Sequence, residues 1–339
     1  MISIECYSGL PIEYESFLIE RYNSFITTCR YIEVNYSSYE INYMLIYEND
    51  ILIELILFGN KGNTSTCLNS LVDIDQDIVA EFTKEIFEKY SSIQKIDIVA
   101  SYKEYLLPKA VSCPKSDDHI LNLPQTIDDY YLELGYHTRK NIKNRKVRLS
   151  RDYPGVSFVT KYGDEIEENI VNKIIQLNCN RMKKKGIIPG IDYTYKNNIY
   201  KYSQYYGCVA YLEIDGVIAA GCIATILNKE IFLHVIAHDD SFSKYNVGEV
   251  CIFNLIQFSI EKGISTVHFL WGETELKKRF LAKPHLLFTY VLFRSYSLEY
   301  ILRTVKTIFF SVLSKFGYSK LTQPFKNAIK FYRKKSWKV

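Results

Sequence analysis

One order of elements occurs twice in this chain, and that repeat limits its fold more than any single motif. An apolar run from Tyr43 to Glu48, the turn pair Asn49-Asp50 and a second apolar run from Ile51 to Phe58 predict a β-hairpin. After a polar loop, Ile78, Phe82, Ile86 and Phe87 recur at helical spacing through Tyr90, and Ile96 to Ala100 form a β-branched run. The same order returns in Val209 to Ile214, the turn Asp215-Gly216 and Val217 to Ile226, followed by an added strand at Ile231 to Ala237. A largely buried helix then spans Val247 to Lys262, stopped by Gly263, before a strand at Ile264 to Leu270. From turn to helix end the two halves keep similar separations although their side chains do not match, the mark of a diverged duplication.

Length agrees with two domains, because 339 residues exceed what one hydrophobic core usually organises. The boundary belongs near residue 120, where Leu121-Asn122-Leu123-Pro124 closes the first half. Thr126 and Asp129 then form a capping-box-like start to a helical region running to about Leu149. The expected domains are therefore 1–120 and 121–339.

Apolar residues at 47% and charged residues at 24% describe a globular chain. A net charge of +4, from 42 Lys and Arg against 38 Asp and Glu, is too slight to imply nucleic acid, and no DNA partner is expected. Eight cysteines include no C-x-x-C pair, so neither zinc nor a redox motif is indicated, and a reducing cytoplasm fits. Met1 to Leu10 lacks the basic and apolar regions of a signal peptide. No apolar run reaches the roughly 20 residues of a membrane span, since Lys306 and Lys315 bracket Thr307 to Leu313. The tail after Tyr290 is helical in pattern and ends with Lys330, Arg333, Lys334, Lys335 and Lys338, suited to the protein body or to peripheral contact with an anionic surface.

Three constellations can carry chemistry. Arg139 to Arg148 is a dense run of positive charge on a predicted helix, either a solvated face or a grip on a phosphate-bearing acceptor through Arg139 and Asn141. Arg181 with Lys183, Lys184 and Lys185 adds a smaller cluster, read also as a solvated helix end. The second constellation is Lys244-Tyr245-Asn246-Val247-Gly248-Glu249, which opens a helix whose free N–H groups and positive dipole end suit a pyrophosphate, or which is a plain helix entry. The third runs from Phe269 through Trp271, Gly272, Glu273, Glu275 and Lys277 to Phe280, at the carboxyl end of a strand, where α/β folds place sites. Taken singly, Glu273 and Glu275 are more often solvent-facing residues or helix-start charges than catalysts. His234 alternates with apolar neighbours and is structural, whereas His238 beside Asp239 at a strand end is the better acid–base candidate. No G-x-S-x-G, H-E-x-x-H, P-loop or G-x-G-x-x-G pattern occurs, and no metal site is expected.

Leu134 to Leu149, Tyr211 to Ala220 and Phe269 to Phe280 together resemble three signatures of the FemAB-like group of the GNAT superfamily: a basic R-K-N-I helix, a D-G hairpin and a G-x-x-x-x-K segment, here Gly272 and Lys277. The likeness covers most of residues 120–285 and implies an α/β (α+β) fold of two tandem GNAT-like domains, mixed central sheets flanked by helices, the first domain degenerate. The family's two-glycine pyrophosphate pattern is reduced here to Gly248.

The resemblance implies acyl transfer from a CoA thioester to an amine, with the donor's arm between splayed strands at Ile231 to Ala237 and Ile264 to Leu270. It places Val235, Ile236, Lys244, Asn246, Val247, Gly248 and Glu249 at the donor, and Arg139, Asn141, Arg181, Trp271 and Lys277 at the acceptor. His238, Asp239 or Glu273 would take the amine's proton, and the N–H of Val235 or Ile236 would hold the oxyanion. The implied acceptor is a nucleotide-linked aminosugar of surface-polysaccharide (O-antigen or capsule) synthesis. The rivals are a FemAB-like transferase that takes its aminoacyl group from charged tRNA, and a non-catalytic binding protein.

Overall fold

The computed structural model describes residues 2–113, 116–186, 188–189, 191–192, 194–271 and 275–315, with side chains as far as Phe309. Its opening stretch is β1 (Ile2–Ser8), α1 (Glu15–Tyr22), α2 (Cys29–Asn35), β2 (Glu40–Glu48), β3 (Ile51–Lys61), β4 (Thr64–Cys67), α3 (Gln76–Lys89), β5 (Lys95–Ser101) and β6 (Ala110–Ser112). The β2–β3 turn is the Asn49-Asp50 pair, both left-handed at φ 49° and 65°. This conformation matches the twist of the flanking strands and suits Asn and Asp. β4 lies within the stretch read as loop. Its four residues, Thr-Ser-Thr-Cys, are too short and polar to register as a strand, yet they pair with β3 and β5.

The middle of the chain gives β7 (Ser116–Asn122), α4 (Ile127–Glu133), α5 (Tyr136–Asp152), β8 (Ser157–Tyr162), α6 (Glu168–Lys184), α7 (Lys196–Tyr206), β9 (Gly207–Ile214), β10 (Val217–Leu227), β11 (Glu230–His238), α8 (Val247–Glu261), β12 (Thr266–Trp271) and α9 (Glu275–Arg279). The helical region expected as one piece is two: α4 is capped by Thr126, whose hydroxyl accepts from the Asp129 N–H, and it ends at Leu134, before Gly135. Strand order in this sheet is β7-β12-β11-β10-β9-β8, antiparallel except for the parallel β11–β12 pair.

Asp117–His285 form one compact unit, and Met1–Ser116 together with the chain from Leu286 onward form the other. The expected boundary near 120 lies within four residues of the first break. The expected extent of the second domain, to 339, does not match: β13 (Lys283–Phe293) pairs antiparallel with β5 and β6, and α10 (Leu298–Lys315) follows it. A strand belongs to the sheet that satisfies its N–H and C=O groups, so the chain's return completes the first unit.

In the first unit Leu18 and Ile32, the β2 and β3 interior, Phe82 and Ile86 of α3, and Phe288, Tyr290 and Leu292 of β13 share one core. In the second unit two clusters lie against the sheet. One joins α4, α5 and α8 to β9–β12, and the other joins α6 to Val209, Tyr211, Ile223 and Val235. α6 comes so close to β10 that a Cβ at Gly221 would lie 2.6 Å from the Ile174 side chain. That close approach sets the helix beside the end of β11.

Candidate active site

Strand pairing opens a gap in the second unit. β11 stays on β10 as far as Ala220↔His238, and β12 stays on β7 as far as Trp271↔Asp118. Between themselves, β11 and β12 pair only at Glu230↔Thr266, Ile231↔Val267 and Phe232↔His268. Beyond that point each strand follows its other neighbour, so the two diverge toward their carboxyl ends, the side on which parallel α/β sheets form sites.

β12 turns aside through Leu270, left-handed at φ 54°, with its register to β7 shifted between His268 and Trp271. The buried Lys277 holds this turn: its Nζ donates to the carbonyls of Leu270 at 3.0 Å and Trp271 at 2.9 Å. Desolvation brings its pKa down to about 8.

At the closed end of the gap, His268 stacks on Phe232 with ring centroids 4.3 Å apart. Its Nδ1 is 2.6 Å from Asp118 and its Nε2 2.9 Å from Glu230. Burial by itself would lower its pKa, but hydrogen bonds to the two carboxylates outweigh that and raise it to about 9. At neutral pH it is an imidazolium donating at both nitrogens.

β11 carries a bulge. Ile223 pairs with Val235 but Ala224 pairs with Leu233, leaving His234 as the extra residue. Burial lowers the His234 pKa to about 4, so the ring is neutral, with Nε2 2.7 Å from the Thr225 hydroxyl. Val235, next along, packs into the core beneath α6, and Ile236 is half-buried.

His238 ends the strand, with Nε2 3.6 Å from Asp240. Burial first, then the nearby Arg181 charge, hold its pKa below the usual histidine value. Its ring lies over Gly248, where a Cβ would be 2.9 Å from Nδ1. That contact is a reason for glycine at 248 that sequence reasoning did not find. Asp239 is committed to its own turn: Oδ1 accepts from the Ser241 N–H at 2.9 Å and the Ser241 hydroxyl at 2.8 Å, and the backbone bond holds its carboxyl below the ordinary range.

A cavity of about 790 Å³ lies beside His238, between α6 and residues 239–241, lined by Lys173, Gln176, Arg181, Lys184 and Asp240 among others. Lys184 pairs with Asp240 at 2.6 Å. Arg181 donates to the Asn178 side chain at 3.3 Å, while its buried Nε has no acceptor among the described residues. Desolvation lowers its pKa, as expected for a cation short of counter-charge.

The start of α8 is less open than its sequence suggests. Asn246 takes the N-cap at φ 50° with no side-chain cap, and Val247 is buried. Glu249, in the first turn, is ion-paired with Arg145 of α5 and with Arg279 at 2.7 Å. Lys244 and Arg148 lie over the Tyr245 ring, 4.6 Å and 5.4 Å from its centroid. Much of the basic helix is thus engaged with its neighbours. Arg139 donates to the Tyr131 carbonyl at 3.3 Å, Asn141 is exposed, and neither lines the cavity beside His238. Trp271 is half-buried at the end of β12. Gly272 and Glu273 lie outside the described residues.

The structure therefore brings together His238, Asp239, Gly248 and Arg181, keeps Lys277 at the strand turn, and leaves Arg139 and Asn141 apart. Sequence reasoning missed Lys173 as a cavity wall and the Asp118–His268–Glu230 triad. Alternation of His268 with apolar residues in β12 was the available signal, but its partners are distant in the chain.

Residues 137–278 match the family model of an acetyltransferase (GNAT) domain. This segment is a GNAT domain. Among solved structures, FemX matches with a TM-score of 0.65 at 9% identity, over 88% of this chain and 100% of that one. L-PGS of Bacillus licheniformis matches with a TM-score of 0.55 at 12% identity, over 90% and 98%. A conserved protein of unknown function from Bacteroides thetaiotaomicron matches with a TM-score of 0.54 at 13% identity, over 86% and 99%. Such identities establish the fold, that of the FemAB-like GNAT proteins. No curated protein matches the chain. With this domain, the protein is an acyltransferase.

Proposed function

We propose that this GNAT protein is a cytoplasmic acyl-CoA-dependent N-acyltransferase whose acceptor is a nucleotide-linked aminosugar serving surface-polysaccharide synthesis. One observation carries the proposal: the gap where β11 and β12 part ends at His238, beside a cavity that holds the desolvated Arg181.

A thin pantetheine arm suits a gap between two strands, and the start of α8, where Asn246 makes no side-chain cap, suits the donor's phosphates. Gly248 supports this end by making room for His238. On the other side, Arg181 and Lys184 offer guanidinium and ammonium to a diphosphate, and a sugar amine reaches the end of β11. Only a neutral amine attacks a thioester carbonyl. His238, kept neutral by burial and Arg181, takes the amine proton as the C–N bond forms, and the sulfur leaves as thiolate and is protonated. β11 no longer pairs with β12 beyond Phe232, and the Val235 and Ile236 N–H groups past the His234 bulge are the candidates for holding the oxyanion. Asp239 orients the turn that follows His238, and Glu273 is kept as a second candidate base.

A second proposal, aminoacyl transfer from charged tRNA, is favoured by the exposed Lys140, Lys143 and Arg148 of α5. Calorimetry with acetyl-CoA, with acyl-CoA analogues and with tRNA separates the two, followed by a mass-spectrometric acceptor screen with nucleotide-linked aminosugars. Saturable binding of CoA and a product heavier by one acyl group are expected. Binding of tRNA with no affinity for CoA would overturn the first proposal, and binding of neither would leave a non-catalytic protein.

A further inference from the structure

α10 faces the wrong way for a helix that only packs on its own unit. Its polar Thr304 and Thr307 face the body, where Thr307 donates to the Ser112 carbonyl, and Tyr300 stacks edge-on against Phe293 with centroids 5.6 Å apart. Its aliphatic and aromatic residues point outward: Leu298, Ile301, Leu302, Val305, Ile308 and Phe309 are 49% to 71% exposed. Spacings of three and four place them on one stripe. A contiguous exposed apolar stripe of this kind marks an interaction surface.

Charge identifies the occupant. From Tyr300 to Val339 the chain has ten Lys and Arg and no Asp or Glu. The remaining 299 residues hold the other 32 of the 42 basic residues against all 38 acidic ones, so a segment of +10 follows a body of −6. The same forty residues include Phe309, Phe310, Phe316, Tyr318, Phe325, Phe331, Tyr332 and Trp337. Apolar and aromatic side chains interleaved with lysines suit the boundary between headgroups and acyl chains of an anionic bilayer. No helix among the described residues is long and apolar enough to cross a membrane. Nucleic acid would account for the lysines but not for the outward aliphatic stripe.

We propose that α10 binds the surface of an anionic phospholipid membrane, its apolar stripe entering the interface and the net positive charge of the sequence from Tyr300 onward drawing it to the headgroups. The attachment is independent of the reaction assigned to the second unit.

Flotation of the full chain with vesicles tests this, using about one-third phosphatidylglycerol in phosphatidylcholine against phosphatidylcholine alone. The chain should float with the anionic vesicles and not with the neutral ones. The double variant Leu302→Glu/Val305→Glu alters two exposed positions and should keep the parent Tm while lowering the partition coefficient about tenfold or more. Three results would overturn the proposal: no flotation with anionic vesicles, undiminished flotation of the variant, or an apolar stripe that instead forms a dimer or an RNA complex lost in the variant while vesicles remain unbound.

Discussion

The first unit runs β2-β3-β4-α3-β5 and the second β9-β10-β11-α8-β12, the same order of elements, yet they differ at the two places where a phosphate-tailed thioester would enter. In the first, β4 has four residues and pairs with β5 along its whole length, from Thr64↔Lys95 to Cys67↔Ile98, and Val72 bridges Ser101 further on. In the second, β11 has nine residues and only its first three pair with β12. The helix starts differ as well. α3 is capped by Asp75, whose carboxylate accepts from the Asp77 N–H and is held below the ordinary range by that bond and by Lys103. α8 starts at Asn246 with no side-chain cap. A side chain that caps a helix start already takes an N–H group that an anion would use, and a closed strand pair leaves no slot. The two units share one element order, and among the described residues the gap opens in the second, where the longer strand parts from its neighbour.

The largest effect should come from the site itself. His238→Ala is expected to lower kcat by about 10²–10⁴-fold with CoA affinity retained, whereas Tyr22→Phe in the first unit should leave kcat unchanged. Steady-state kinetics on both variants would break the contrast if the second proved as damaging as the first. Arg181→Met should raise the acceptor KM about 100-fold and leave the acyl-CoA KM alone, checked by varying each substrate in turn.

Stability gives the next effect. His268→Ala strands the buried Asp118 carboxylate and should destabilise the second unit by about 3–5 kcal/mol in urea unfolding. Because the folded pKa of His268 is raised from the ordinary 6.5 to about 9, its contribution is complete below pH 6.5 and fades as pH rises through 9. Parent and variant unfolding curves should therefore draw together between pH 6.5 and 9.5, and a constant separation would remove the imidazolium from the account.

Asp75→Ala should lower Tm slightly, through the lost cap, without giving the first unit any affinity for CoA. New CoA binding in that variant would show the first unit to be blocked only by its cap, not by its closed strands. The smallest effect is expected at the exposed Lys184–Asp240 pair, where Lys184→Gln should leave Tm unchanged and raise the acceptor KM only about threefold.

Much of this is legible in the sequence. The hairpin turns at Asn49-Asp50 and Asp215-Gly216, the α3 and α8 helices and the β5 and β12 strands follow from periodicity and turn chemistry, because local patterns report which face of an element is buried. β4 escaped notice since four polar residues carry no such pattern. His238 stood out by its place at a strand end, while the roles of Gly248 as room for its ring and of Asp239 as a cap needed the folded chain.

By itself the sequence determined the duplicated order of elements, the GNAT character of the latter half and the basic character of the tail. Tertiary structure alone decided that β13 completes the first unit, that α6 brings Arg181 to His238, and that Asp118 meets His268 across 150 residues of chain. The reason is physical: a side-chain pattern encodes burial one element at a time, whereas strand partners and buried ion pairs are chosen by competition among all elements for the same hydrogen bonds and the same interior.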